Sequence, residues 1–476
     1  MSEPQQPGIG VDQWVADSEA RARTPRGRAV ALYERTPAVV KLIALAAPFL
    51  VFPLVVDSGY LMQVAIDTLI FVLLALGLNV VVGWVGLLDL GYVAFFGVGA
   101  YLYAALASEY AGRYWGAQWA LPVVVVSTAI VGFLIGLPSR RLVGDYLAIV
   151  TLFFLQIWLV VVLNSQFTRG PNGISDIQPL DFFGNKVTTL DGSYFVLVGA
   201  LLVVVTVLYL VNQSRTGRAW RALREDELAA ELMTMPVARL KLLAFAFGAG
   251  VAGLAGALFA AQQGAIFPSS VAIPLLITVY AMVVLGGAGS IFGVIFGAVL
   301  INASLEALQT PENASVLFFS ALAIGLAVVL RPWWRFAAVA GATIVFGIVF
   351  HAVAGKLDPS LTEGTSVGGA RIDDLVSHWV ILPEGIVTGD GLPAGAFARL
   401  LYIGLVAAVL GLTLVRNRLW RDALLVPTVY FACVVWENIM LPQPSVSRFV
   451  LIGAMLVALM AARPEGIFGK RRVEIV

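Results

Sequence analysis

The side chains that could do chemistry are few, and most of them crowd into one stretch. Residues 214–245 carry Arg215, Arg218, Arg221 and Arg224, then Glu225, Asp226 and Glu227, in a chain of 476 residues of which only 12% are charged. Four cations spaced by three, followed at once by three anions, offer no nucleophile and base. They suit electrostatic contact with another protein, or a solvated loop whose arginines fix membrane orientation. The acidic run falls where a short helix would begin, complementing the positive end of its dipole, and Pro236 would stop that helix. Ala229 and Ala230 on it leave room for a partner to close in. Residue types and spacing leave both readings open.

Other chemistry is largely excluded. His351 and His378 are the only histidines and lack the spacing of a metal site, so no metal is expected. Cys433 is the single cysteine, which rules out an intramolecular disulfide; in its apolar run it reads as a small buried hydrophobe. No Walker A loop is present, so any ATP hydrolysis must come from another polypeptide. Gly248, Gly250 and Gly253 match the dinucleotide fingerprint literally, but they sit inside an apolar run with no strand before them. Helix packing through small residues explains them, as it does the pairs Gly132/Gly136 and Gly293/Gly297.

The elements around this loop are lipid-soluble. Hydrophobic residues make up 60% of the chain, against roughly 45–50% in an ordinary soluble protein. Recurrent long apolar runs predict an all-α polytopic membrane protein, and no alternating ten-residue strands point to a β-barrel. Spans are expected at 39–56, 61–82, 90–107, 119–138, 146–163, 194–211 and 240–261, then at the shorter pair 273–285 and 291–301 and at 316–330. Four more follow at 336–354, 400–415, 424–440 and 449–461, about thirteen or fourteen crossings in all.

Charge orders these spans. The tail 1–38, with Arg21, Arg23, Arg26, Arg28 and Arg35, is expected inside, as are Arg140, Arg141, the loop 214–239, the turn 416–421 and the basic end Arg463–Arg472. Residues 166–193 and 355–395 fall outside. No small-residue cleavage site follows the first apolar run, so a removable signal peptide is not expected.

Two glycine-rich breaks interrupt the apolar runs. Asn79, Gly83, Gly86 and Asp89 predict a broken helix whose backbone groups can meet a solute, and Gly286, Gly287, Gly289 and Ser290 separate the short pair in the same manner. Both are pathway candidates, with tight helix packing as the plainer account. Asp67, ionisable within a span, is expected to face protein or water. Outside, Gly170, Pro171, Asn172 and Gly173 read as a turn, and contact with an external binding protein is a second reading for Pro171, Asn172 and Gly173.

The words Glu227-Leu228-Ala229-Ala230 and Arg239-Leu240-Lys241-Leu242-Leu243-Ala244-Phe245 resemble the coupling loop of ABC importer permeases, specifically branched-chain amino-acid permeases of the LivM type. The resemblance extends through Gly77-Leu78-Asn79, Gly83-Trp84-Val85-Gly86-Leu87-Leu88-Asp89-Leu90-Gly91, Gly144-Asp145-Tyr146-Leu147-Ala148-Ile149-Val150-Thr151-Leu152, Gly170-Pro171-Asn172-Gly173-Ile174, Leu285-Gly286-Gly287-Ala288-Gly289-Ser290 and Arg463-Pro464-Glu465-Gly466. It covers about 39–306 plus the last thirty residues. Two departures stand out: Thr234 replaces the glycine usual a few residues after the alanines, and about four extra spans precede the terminal motif.

The resemblance implies an ABC importer permease fold with a core at 39–306, inserted spans at 307–445 and a terminal span and tail at 446–476. It implies that Arg224, Glu225, Asp226, Glu227, Ala229, Ala230, Glu231 and Thr234 couple to an ATPase. The implied partners are a second, LivH-like permease, two cytoplasmic ATPase subunits of LivG/LivF type, an extracytoplasmic substrate-binding protein and membrane lipid, with no nucleic acid. No cofactor is expected on this chain, ATP being used by the partner subunits, and the expected location is a bacterial inner membrane. An importer for urea, short amides or another small polar solute is the near alternative. An ion-coupled secondary transporter would leave the loop without a purpose, and a membrane enzyme would need a nucleophile, base and orienter that 355–395 does not show.

Overall fold

The computed structural model describes residues 38–330, except 111, 113 and 140–143, and residues 332–462, except 358, 360–361, 363–375, 377, 383–394 and 416, together with 466–469. The N-terminal arginines, Arg140, Arg141, most of 355–395 and the terminal basic motif therefore lie outside the described residues. The chain forms two compact units, one ending at Ala298 and one beginning at Val299.

The first unit holds helices α1 (Ala38–Val55), α2 (Gly59–Leu78), α3 (Tyr92–Ala107), α4 (Ala117–Ser139), α5 (Asp145–Asn164), α6 (Leu190–Gln213), α7 (Arg215–Glu225), α8 (Glu227–Leu232), α9 (Val237–Gln263) and α10 (Ile273–Gly286), and the start of α11 (Ile291–Ala307). Helix α9 is central and packs on α2, α3 and α4. Its alanines and glycines allow backbones to approach closely, which is how helices associate where lipid removes the hydrophobic drive. A side chain at Gly253 would collide with Thr128, one at Gly256 with the Phe96 carbonyl, and one at Gly132 with Ala249. The fingerprint-like glycines are thus packing surfaces. Of the most apolar windows, 83% is buried in Gly59–Val85 and 72% in Val237–Gln263, against 28% in Ala117–Pro138, so α4 presents most of its surface to lipid or to a partner.

Helices α10 and α11 form an antiparallel hairpin rather than the two halves of one broken span. Gly286 lies against the Gly293 carbonyl and Gly297 against that of Met282, with 287–290 as the turn. The bent pair among the described residues is Ile291–Ala307 with Pro311–Ala327, turning through 118°. Seven described helices are long and apolar enough to cross a bilayer, or eight counting that pair. The sequence expectation of thirteen or fourteen also counts short apolar helices, and runs such as Ala38–Val55 and Gly395–Leu414 that are only partly covered by the described side chains. Tyr92–Ala107 and Ile273–Gly286 have 16 and 14 residues, or about 24 and 21 Å at 1.5 Å per residue, less than a hydrocarbon core of about 30 Å.

The segment after α5 is stitched by a hairpin, Asp181–Phe182 paired with Asn185–Lys186, and by the bridges Ser108 to Ile177 and Ile174 to Ile266.

The second unit contains α12 (Pro311–Val329), α13 (Trp333–Leu357), α14 (Gly395–Leu414), α15 (Arg418–Val435) and α16 (Pro444–Ala462). Its core joins Val376, Val380 and Leu382 to Tyr430, Cys433 and Val434, and Trp436 stacks on Phe318 at 4.3 Å between ring centroids. Helix α15 ends in a π-helical turn, Trp436–Met440, where Asn438 Nδ2 donates to the carbonyls of Ile381 and Val434 at 2.8 and 2.9 Å.

Candidate functional site

The polar stretch between α6 and α9 folds as two short helices. Ser214 caps the first through the N–H of Gly217, and Gly217, Trp220 and Leu223 form its buried face. Trp220 Nε1 donates to the Leu240 carbonyl at 2.9 Å, and its ring tilts against Trp84 with centroids 6.2 Å apart. Glu225 closes this helix instead of opening the next. Asp226 is the cap of the second helix, accepting the Ala229 N–H at 3.0 Å. Glu227 turns inward, its carboxylate 2.6 Å from Nζ of Lys241, which is only 1% exposed. Pro236 does not stop this helix: it ends at Leu232, and Pro236 caps the start of α9.

Thr234 makes the reversal between these helices. Its φ is +61°, and its hydroxyl donates to the Met233 carbonyl at 2.7 Å. Ala230 faces inward, whereas Ala229, Glu231, Leu228, Leu232 and Met233 face out; the last three are 73%, 84% and 75% exposed.

Arg224 links this loop to both glycine-rich breaks. After Leu78 the backbone widens into a π-helical turn, Asn79–Val85, ended by left-handed Gly86. The last carbonyls of any helix lack intrahelical donors. Arg224 Nη1 donates to one of these, Gly83 O, and to Ala288 O at 3.4 Å, just past the end of α10. The breaks also bind each other: Gly289 N–H donates to Asn79 Oδ1 at 2.7 Å, and Trp84 Nε1 donates to Gly289 O at 3.1 Å. Gly289 has φ +98°, which favours glycine, and a side chain at Gly83 would strike Asn79 and the Gly289 backbone. Asn79, Gly83, Gly86, Gly289 and Arg224 are therefore one packed junction. Gly286 and Gly287 lead into it, and Ser290 caps α11 through the Gly293 N–H.

Asp89 lies beside this junction in a knot of its own. It is fully buried, accepts the Gly91 N–H at 2.9 Å, and its carbonyl accepts the Tyr280 hydroxyl at 2.6 Å. Leu90 N–H donates to Thr151 Oγ1 at 2.9 Å. Burial raises the Asp89 carboxyl to about 7, against the lowering effects of the Gly91 N–H and the Thr151 hydroxyl. Asp67, on α2, is half-buried.

Pro171, Asn172 and Gly173 sit elsewhere. Gly170–Asn172 is a single 3-10 turn beside an open groove of about 500 Å³ lined by Asn164, Gln166, Arg169 and Asn172. Ile174, directly after it, pairs with Ile266 beyond the end of α9, whereas Lys241 belongs to that helix's first turns. The 27 residues of α9 separate turn and coupling loop by about 40 Å.

Sequence reasoning assigns no individual role to Trp84, Trp220, Lys241, Tyr280 and Thr151, although Trp84, Lys241 and Thr151 stand within the stretches that carry the resemblance. Two left a signal: Trp220 is the only aromatic within 214–236, and Lys241 is a lone cation in an apolar run, which needs a partner.

A bundle of apolar helices, interrupted by a π-helical turn and a glycine turn and joined by a charged loop, defines the class: a multi-pass α-helical membrane protein. The family described as the permease component of the branched-chain amino acid transport system matches residues 60–329, and the chain belongs to it. The permease protein LivM of the high-affinity branched-chain amino acid transport system of Escherichia coli (strain K12) is 41% identical over 61% of this chain and 73% of its own length. The LivM of Salmonella typhimurium (strain LT2) is 42% identical over the same shares, and the LivH of that strain is 26% identical over 54% of this chain and 89% of its own. No solved structure matches the chain.

Proposed function

We propose that the chain is the membrane permease subunit of an ATP-driven importer of branched-chain amino acids in a bacterial cytoplasmic membrane. It works beside a LivH-like permease, two cytoplasmic ATPases that bind the ATP, and an extracytoplasmic binding protein. It is itself not an enzyme and binds no cofactor, and its termini are cytoplasmic. The observation that carries this reading is the surface of Glu227–Leu232 and the residue after it: Leu228, Leu232 and Met233 stand exposed on a short helix whose other side is fixed by Glu227 and Ala230. Apolar side chains held out from a charged loop suit the groove of another protein, and an ATPase is the partner such a transporter needs.

ATPase closure would press on this helix and shift the spans between outward-open and inward-open states. The names of the relatives support the solute class. The test is co-expression with the ATPases, the second permease and the binding protein, reading co-purification and ATP-dependent uptake of labelled leucine against unlabelled urea or acetamide. Leu228→Asp with Leu232→Asp should lose the ATPases and uptake together. Retained ATPases, or competition by urea rather than by isoleucine and valine, would overturn the partner or the solute assignment respectively.

A further inference from the structure

We infer that Arg224 is a positioning residue for transport: it carries movement of the coupling loop to the two helix breaks at once. The inference rests on the reading of that loop as the ATPase contact. Its basis is geometric. Arg224 ends the outward-facing arginine series, but unlike the exposed Arg221 it is half-buried. Its guanidinium reaches Gly83 O and Ala288 O, which are 141 and 64 residues away in the chain.

Gly83 O is among the last carbonyls of Asn79–Val85 and Ala288 O lies just past the end of Ile273–Gly286, so both stand at the negative ends of these helices. A cation placed there meets two converging helix dipoles as well as two orphan acceptors. The next residues, Asp226 and Glu227, are the cap and first residue of the exposed short helix. A displacement of that helix is thus delivered to Arg224 within three residues, and from Arg224 to both breaks. The direct bond from Gly289 N–H to Asn79 makes the breaks move as one body, and Trp84 and Trp220 fill the space behind them. Removing the Arg224 guanidinium leaves the ATPase surface, the junction's internal bonds and the Trp84–Trp220 contact in place and deletes the hydrogen bonds that tie the loop to both breaks at once.

The experiment uses the whole reconstituted transporter with Arg224→Gln and Arg224→Lys, measuring solute moved per ATP hydrolysed. A second readout is maleimide labelling of Leu88→Cys, an exposed site beside the first break, in a Cys433→Ala background with and without ATP. In Arg224→Gln the ATPases should remain bound and hydrolysis stay within about twofold, while solute per ATP falls about tenfold, the scale of coupling changes along such networks. ATP should also no longer change labelling at residue 88. Arg224→Lys, which keeps the charge on a shorter stem, should fall between, and it decides the matter if the Gln variant does not assemble. An unchanged ratio and an unchanged labelling response, in Gln or in that case in Lys, would overturn the inference. Wild-type protein without ATP-dependent uptake would instead overturn the underlying reading of the loop.

Discussion

Thr234 shows how one residue departs from its family's habit without abandoning the shape. A left-handed backbone costs an L-residue about 1–2 kcal/mol and is rare for a β-branched one. The structure nonetheless holds φ at +61°, with the hydroxyl bonded to the preceding carbonyl. Glycine relieves the strain but adds unfolded-chain freedom worth about 0.5–1 kcal/mol and loses the hydroxyl bond worth about 1 kcal/mol, so Thr234→Gly should stay within about 1 kcal/mol of wild type. Thr234→Val keeps the branch, loses the hydroxyl bond, and should lose about 1 kcal/mol. The order of thermal unfolding midpoints, Gly above Val with Val below wild type, tests this; a Gly variant below Val would show that the turn is not strained.

At the scale of the element, the short helix is held by its inward side. Breaking a buried ion pair costs about 3–5 kcal/mol because one charge is left without compensation. For Glu227→Gln the cost is smaller, because Glu227 is 28% exposed and a glutamine oxygen still accepts from Lys241, and it should loosen Glu227–Leu232 rather than unfold the bundle. Protease cleavage within 226–236 should rise and leucine uptake fall; Glu227→Arg should be more severe, and wild-type uptake in either would count against the coupling role. Adding Lys241→Met to Glu227→Gln should restore protease resistance.

Sequence patterns reach part of this. Long apolar runs placed helices such as Leu190–Gln213 and Val237–Gln263 within a few residues, because hydropathy and helix length are local properties. The glycines located both breaks. What no local pattern contains is that Arg224 joins them, or that Glu227 faces a lysine and not solvent: those contacts exist only once distant helices have packed. The helix after Asp226 was legible from its acidic start, whereas its end was misplaced at Pro236 because the stop is a left-handed threonine.

For the whole molecule, the remaining question is orientation, and it follows from charge. Cytoplasmic segments collect Lys and Arg, and the loop with Arg215, Arg218, Arg221, Arg224 and Arg239 holds the largest such group among the described residues. Residues 166–193 carry only Arg169 and Lys186 against Asp176, Asp181 and Asp191. Each segment offers an exposed residue for a reporter, Leu228 at 73% and Phe183 at 83%. Because Cys433 is the single cysteine, Cys433→Ala provides a cysteine-free chain. In that background, an impermeant maleimide should label Phe183→Cys only in intact cells or spheroplasts and Leu228→Cys only in inverted vesicles. A cysteine placed at Ser366, within 355–395, should behave like the one at 183, because an even number of added crossings returns the chain to the same face. Labelling at 366 from the cytoplasmic face would mean that one apolar run between 307 and 355 does not cross, and the bent pair Ile291–Ala307 and Pro311–Ala327 is where that crossing would be lost.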